Sequence, residues 1–210
     1  MITTQTTPIY GLALHTSSQQ LGLAIAVNGE IRRSQTWELG RELSNQLHLH
    51  LAEFIQPQTW SDMAYLAVAQ GPGSFTSIRI GLVTARTLGQ QLHIPVFALS
   101  SLAAFALSQV DHLSPSGLIA VQMAATRGQI YGAVYQIQEQ SIKIIFSDRL
   151  LDPPDWQRQL AQIDPALHPV LAPEALGQNV DQILLLAHQS WQAGQRSPWS
   201  EALPFYGMSP

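Results

Sequence analysis

The stretch AQGPGSFTSIRIG, Ala69 to Gly81, carries glycine at Gly71, Gly73 and Gly81 and runs into an expected helix. A glycine loop at a helix start can hold a phosphate, because its backbone N–H groups converge on the anion. The loop that does so reads G-x-x-x-x-G-K-[ST], and no Gly-Lys pair occurs in this chain. Pro72 also removes one N–H. The residues instead predict that Gly71-Pro72-Gly73 turns the chain at a strand end and that Ser74 caps a helix beginning at Phe75. Other reactive residues fall in no working pattern. His48 and His50 are two apart on an expected helix and so project about 200° apart, which prevents them from chelating one ion. There is no H-E-x-x-H and no G-x-S-x-G. Ser17, Ser18, Ser74, Ser100 and Ser101 read as caps or turns. His15 ends a strand and reads as a histidine bonded to a neighbour, with a general base as the alternative. Trp191, Trp199, Phe205 and Tyr206 read as core or tail packing, since base stacking would want basic residues beside them.

Composition narrows the classes. Charged residues make up 11% of the 210, against about a quarter in ordinary domains. A surface with so little charge is poorly defended against association, which predicts a partner or an oligomer. Lys and Arg number 10 and the net charge is −4, so no basic stripe for nucleic acid is expected. With no cysteine there is neither a disulfide nor a thiolate metal site. The N-terminus has no basic start and only a short apolar run, and no stretch approaches a membrane span. A cytoplasmic protein is expected.

The elements that must position these residues follow from periodicity. Ile9–Leu14, Leu21–Val27 and Glu30–Trp37 read as three antiparallel strands, with Asn28-Gly29 as a hairpin turn. Arg41–Ile55 reads as a helix with Leu43, Leu47, Leu51 and Phe54 on one face. Tyr65–Ala69 and Pro95–Leu99 read as buried strands on either side of a helix from Phe75 to Leu92. Ser100-Ser101 caps a helix through about Val110. The turn-rich Asp111–Gly117 divides the chain into 1–110 and 111–210. Beyond it, strands are expected at Leu118–Met123, Gln129–Ile137, Ser141–Ser147 and near Val170, and helices at Asp155–Ile163 and Asn179–Ala193. Both halves open with antiparallel strands and then alternate helix and strand.

On the Phe75–Leu92 helix, Phe75, Ile78, Leu82 and Ala85 form an apolar stripe. Gly81, Ala85 and Gly89 form a small-residue ridge at i, i+4, i+8 that admits another backbone. Arg79 and Arg86 share a flank. They read either as solvated charges or, beside the ridge, as part of an interface.

The glycine loop resembles the hallmark of the bacterial TsaB (YeaZ) family, close to G-P-G-S-F-T-G-x-R-[IV]-G. Gly71, Pro72, Gly73, Ser74, Phe75, Thr76, Arg79, Ile80 and Gly81 match, and Ser77 stands for a glycine. LALHTSS resembles the family's LALDTSS, with His15 in place of aspartate. HIPVFALSSLAAFA resembles GIPVVGVSSLEALA. ATRGQIYGAVY resembles DARRGEVYAAVY, with Ala124 in place of aspartate. ELSNQLHLHLAEFI resembles HSERLLPLIDELL and keeps Ser44 and Leu47, with Leu43 for histidine. LPFYGMSP resembles a closing P-x-Y-x-R, keeping Pro204 and Tyr206 without the arginine. The likeness covers most of the chain in order.

This resemblance implies an α/β chain with a degenerate actin-like ATPase (ASKHA, ribonuclease H-like) fold: two lobes, each a mixed β-sheet flanked by helices. It implies a non-catalytic scaffold subunit of tRNA N6-threonylcarbamoyladenosine (t6A, position 37) modification. The expected partners are a TsaD-type catalytic subunit and a TsaE-type ATPase, with a homodimer when the chain is alone and tRNA met only through the complex. No catalytic, cofactor-binding or metal-binding residue is assigned; ATP and metal belong to the partner subunits. The alternative is a free-standing actin-like small-molecule kinase or ATPase. His15 and Ala124 speak against it, since Mg²⁺ wants oxygen ligands where these residues offer none. The candidate interface lies on the first lobe: Leu43, Leu47, Phe75, Ile78, Arg79, Gly81, Leu82, Ala85 and Arg86. Gly81→Trp or Ala85→Arg is expected to abolish pairing and spare the fold.

Overall fold

The computed structural model describes residues 7–114, 116–138 and 141–207. The readings made on the first six residues and on the last three of the closing motif lie outside the described residues. The chain opens as β1 (Tyr10–His15), β2 (Gln20–Val27) and β3 (Glu30–Glu38), paired antiparallel in sequence. Asn28 and Gly29 both take positive φ, 53° and 86°, as a two-residue turn between right-twisted strands requires. β4 (Met63–Gly71) and β5 (Val96–Ser100) then add in parallel, giving the order β3-β2-β1-β4-β5.

A second sheet holds β6 (Leu118–Ala124), β7 (Ile130–Gln138), β8 (Ser141–Leu151) and β9 (Val170–Leu171) in the order β8-β7-β6-β9. Its first three strands are antiparallel and β9 runs parallel to β6. Order and sense therefore repeat the first four strands of the first sheet, with β6 in the place of β1. The echo between the halves is one of topology, and it matches the fold of two mixed sheets implied by the loop motif.

Among the described residues five α-helices cover the sheets: α1 (Leu43–Phe54), α2 (Phe75–Leu92), α3 (Ser101–Leu107), α4 (Pro153–Ile163) and α5 (Val180–Gln192). Two differ from the sequence reading. The helix expected from Arg41 begins as a 3-10 turn at Gly40–Glu42 and becomes α-helical at Leu43. The helix expected to reach Val110 stops at Leu107. Ser108 Oγ donates to the Phe105 carbonyl at 2.7 Å and accepts from Asn179 Nδ2 at 3.0 Å, so the chain is pinned there by its own side chain.

The first sheet is sorted by strand alternation. Leu12, Leu14, Leu66 and Val68 point to one face and meet α1 and α2 through Leu43, Leu47, Leu51, Ile78 and Leu82. Ala13, Ala24, Ala67 and Ala69 point to the other and meet α5 through Val180, Ile183, Leu184 and Ala187. Leucines and valine on one side, and alanines beside Tyr65 and Phe97 on the other, set how near each helix layer can come. The second sheet repeats the sandwich. Trp156 and Leu160 of α4 cover Ala120 and Val134 on one face. Leu102, Phe105 and Leu186 of α3 and α5 cover Ile119, Val121 and Tyr135 on the other. The layers thus run α1/α2, first sheet, α3/α5, second sheet, α4. The strands change sheet across Asp111–Gly117, but α5, from the second half of the sequence, packs into both cores.

Near α5 the chain approaches β2 backbone to backbone. A Cβ on Gly22 would lie inside contact distance of the Gly177 carbonyl, and one on Gly177 would meet the Gln20 Cβ at 2.6 Å. Gln20 Oε1 accepts from the Gly177 N–H at 2.9 Å across this seam. Gly22→Ala should therefore lower stability by about 1–3 kcal/mol, measured by urea unfolding, because it wedges the two halves apart.

His15 ends β1 fully buried, with Nδ1 3.3 Å from Ser17 Oγ and Nε2 without a hydrogen-bond partner. It is bonded to a neighbour, as its strand-end position suggested. Burial pushes its pKa down from 6.5 to about 3. The unfolded chain takes up this proton near its ordinary value and the native chain refuses it. Stability tied to His15 is complete above that value and is lost as pH falls toward about 3. His15→Gln should lose less stability than the parent over this window, by up to about 1.4 kcal/mol per pH unit. Urea titrations of both proteins at a series of pH values measure the difference.

Candidate functional site

The glycine loop closes on its own chain. Gly71 and Gly73 have φ of 111° and 154°, and a Cβ on Gly73 would strike the Ser17 backbone. The Ser74 N–H donates to the Ser17 carbonyl at 2.6 Å. The loop is therefore locked to the β1–β2 turn, and an N–H that a phosphate cradle would use is spent internally. Ser74 sits at the N-cap position of α2, but its side chain caps no N–H. Its hydroxyl pairs with Ser77 Oγ at 3.0 Å instead, so the serine at the usual glycine position diverts the expected cap.

α2 spans Phe75–Leu92 as its pattern predicts, but its faces are assigned differently. The Gly81/Ala85/Gly89 ridge looks inward. A Cβ on Gly81 would meet Thr16 at the end of β1, and one on Gly89 would meet Val96 of β5. The backbone this ridge admits is the chain's own sheet. Leu43, Leu47, Ile78, Gly81, Leu82 and Ala85 are all buried in the first-lobe core, Ala85 at 0% exposure. As contact residues for another chain they are corrected, because no partner reaches them while the lobe is folded. Gly81→Trp and Ala85→Arg would break this packing rather than spare the fold.

Of the nine interface candidates, Phe75, Arg79 and Arg86 remain accessible. Phe75 is 54% exposed and leaves the expected stripe to stack on Tyr206 at 4.7 Å. Arg79 lies over the Phe75 ring at 5.4 Å and half-buried Arg86 over Trp199 at 5.9 Å, so the two cations sit on separate rings. The outward stripe of α2 is Phe75, Arg79, Val83 and Thr87, with Val83 63% exposed. On α1 the outward apolar residue is Leu49, 56% exposed. The sequence reading passed over Val83 and Leu49. The turn of the helix opposite the buried stripe was the signal that pointed to them.

Between the lobes lies a cleft of about 810 Å³, lined by Ser17, Ser18 and Gln20 of the first lobe and Ala124, Thr126 and Tyr131 of the second. Its charged lining residues are Glu38 and Glu174. Glu38 is already engaged by the Gln20 amide. Ala124 ends β6 in this lining, and His15 ends the equivalent strand β1, one residue short of the lining residues Ser17 and Ser18. Both positions where the family motifs carry aspartate therefore fall at the same topological point, one per lobe. One now holds a methyl group and the other a buried neutral imidazole.

The tail spans this cleft. The Phe205 N–H donates to the Gln70 carbonyl at 2.9 Å, Tyr206 stacks on Phe75, and Phe205 meets Tyr131 edge-on at 6.3 Å. The Leu150 N–H donates to Gly207 at 3.3 Å. Tail aromatics thus join the two lobes. Trp199 and Trp191 are packing residues as read: Trp199 lies against the first-lobe core and Trp191 stacks on Tyr65 at 5.2 Å. Tyr65 Oη and His188 Nδ1 meet at 3.1 Å, and burial lowers the His188 pKa. Among the described residues no helix is long and apolar enough to cross a membrane.

Comparison with known proteins agrees with this geometry. The TsaD family model, described as tRNA N6-adenosine threonylcarbamoyltransferase, matches residues 41–171. The tRNA threonylcarbamoyladenosine biosynthesis protein TsaB of Bacillus subtilis (strain 168) is 30% identical over 202 residues, 93% of this chain and 86% of that protein. Its namesake in Escherichia coli (strain K12) is 33% identical over 82 residues, 39% of this chain and 35% of that one. YeaZ from Pseudomonas aeruginosa superposes with a TM-score of 0.77 at 24% identity, over 94% of this chain and 99% of its own, and so shares the fold. The sequence relationship over nearly the whole chain, with the shared pair of mixed sheets, makes this chain a member of the TsaB (YeaZ) family.

Proposed function

We propose that the chain is a non-catalytic scaffold subunit for N6-threonylcarbamoyladenosine formation on tRNA, pairing with a TsaD-type catalytic subunit. Membership of the TsaB family makes it a threonylcarbamoyladenosine biosynthesis protein. The observation that carries the division of labour is the interlobe cleft, whose charged lining residues are both carboxylates. A nucleoside triphosphate brings several negative charges and is held by cations or by free N–H groups at a helix start. Here the helix start is bonded to Ser17, and Glu38 and Glu174 would repel the phosphates. In this reading ATP and metal belong to the partner subunits. A TsaE-type ATPase joins the pair, tRNA is reached only through the complex, and the assembly is cytoplasmic.

The partner surface in this reading is the outer side of α1 and α2, also used for self-pairing when the chain is alone. Leu49 and Val83 are large apolar side chains facing solvent on adjacent helices, in a protein with little charge to discourage association. Arg79 and Phe75 lie along the same stripe and supply the types of side chain that anchor interfaces.

Val83→Arg combined with Leu49→Arg should abolish the one-to-one complex with the TsaD-type subunit, weakening it by about thirtyfold or more. Circular dichroism should be unchanged, because both positions are exposed. Light scattering of the co-purified pair reads the outcome, and an intact complex would move the interface off these helices. In a separate calorimetric titration, the isolated chain should take up no Mg-ATP. Tight, metal-dependent binding would instead favour the kinase or ATPase reading.

A further inference from the structure

A second cavity, of about 470 Å³, is bounded by the junction of β5 with α3, by β8 and by α5. Asp148 of β8 stands in its wall. Ser100 Oγ donates to Asp148 Oδ2 and Tyr135 Oη donates to Oδ1, so each carboxylate oxygen takes one hydroxyl. Ser100 Oγ also accepts the Ala103 N–H at 3.0 Å, which leaves its own proton for Asp148. Two such donors favour the ionised carboxylate. Burial acts against it and pushes the Asp148 carboxyl up, and the neighbouring Tyr135 hydroxyl up as well. Among the described residues the ion pairs are Arg32–Glu30 and Arg158–Asp155, and no cation lies at ion-pair distance from Asp148. Asp148 is half-buried in the cavity wall, so a cation entering the cavity can reach its carboxylate.

The rest of the wall is mostly apolar: Ala98, Leu99, Ile142, Ile144 and Leu186. Its volume is that of a small-molecule site, about 300–1,000 Å³. We propose that this cavity binds a small primary ammonium carrying a short aliphatic chain, with the –NH3⁺ on Asp148 and the chain against Leu99, Ile142 and Leu186. The oxygens of Asp148 keep free lone pairs after the two hydroxyl bonds, so an ammonium completes the set. The triad also ties β5, β7 and β8 together at the start of α3. That structural role by itself predicts no difference between an ammonium and an alcohol of the same length.

NMR titration of the full chain with n-hexylammonium, and in parallel with hexan-1-ol, makes the distinction. The ammonium should give saturable shifts at Ala103, Ile142, Ile144 and Asp148, and the alcohol should bind about tenfold or more weakly, as for a lost hydrogen bond to a charged group. Asp148→Asn should weaken ammonium binding by a similar factor and leave the alcohol unchanged. Should that variant fail to fold, Ile144→Lys provides the second reading. Ile144 is 62% exposed at the cavity, and a lysine there supplies a tethered ammonium that should displace the free one about tenfold or more. Equal binding of alcohol and ammonium, or ammonium binding that ignores both variants, would overturn the assignment. So would the absence of shifts at these residues.

Discussion

The close seat of α5 on the alanine face of the first sheet is the contact on which the rest of the architecture depends. Ala13, Ala24, Ala67 and Ala69 leave room for Val180, Ile183, Leu184 and Ala187 at short range. From that seat α5 presents Leu186 to the second core, so one helix serves two sheets. Gly22 and Gly177 continue the same logic, since removing both side chains lets the chain entering α5 touch β2 backbone to backbone. The lobes are therefore not two independent units in a row. The end of the sequence completes the core of its beginning.

The same economy of side chains explains the glycine motif. Gly73 lets the loop meet Ser17, Gly81 lets α2 meet Thr16, and Gly89 lets it meet Val96. Each glycine serves a contact within the lobe, and the loop's N–H is spent on a carbonyl of its own chain. A motif that resembles an anion cradle thus works as a fixed turn between sheet and helix. The opposite side of the helix is the one left open, where Val83 and Arg79 face solvent.

Polarity is distributed unevenly between the two cavities at the lobe junction. The larger carries Glu38 and Glu174 and is crossed by tail aromatics. The smaller holds Asp148, fixed by two hydroxyls, against an otherwise largely apolar wall. Phe205 lines both, so the tail that bridges the lobes also separates the two cavities. Neither arrangement suits a polyanion.

By itself the sequence determined the elements and the family. Short apolar runs marked the strands, Asn28-Gly29 marked the hairpin, and the run from Gly71 to Gly81 marked both the loop and the kinship. These signals are local, and local sterics enforce them whatever the rest of the chain does. Only the tertiary structure decided which face of α2 is inside. A stripe of Ile78, Leu82 and Ala85 flanked by a glycine ridge reads equally well as a core face or as a docking face, because both bury apolar surface at close approach. The choice is made by Thr16, distant in sequence, and by Val96 of the strand that follows the helix, which occupy the ridge. The Asp148, Ser100 and Tyr135 cluster was likewise illegible, since three strands' worth of chain must fold before those side chains meet. Packing, not residue type, turned a buried ridge, an outward Val83 and a hydroxyl-bonded carboxylate into distinct surfaces.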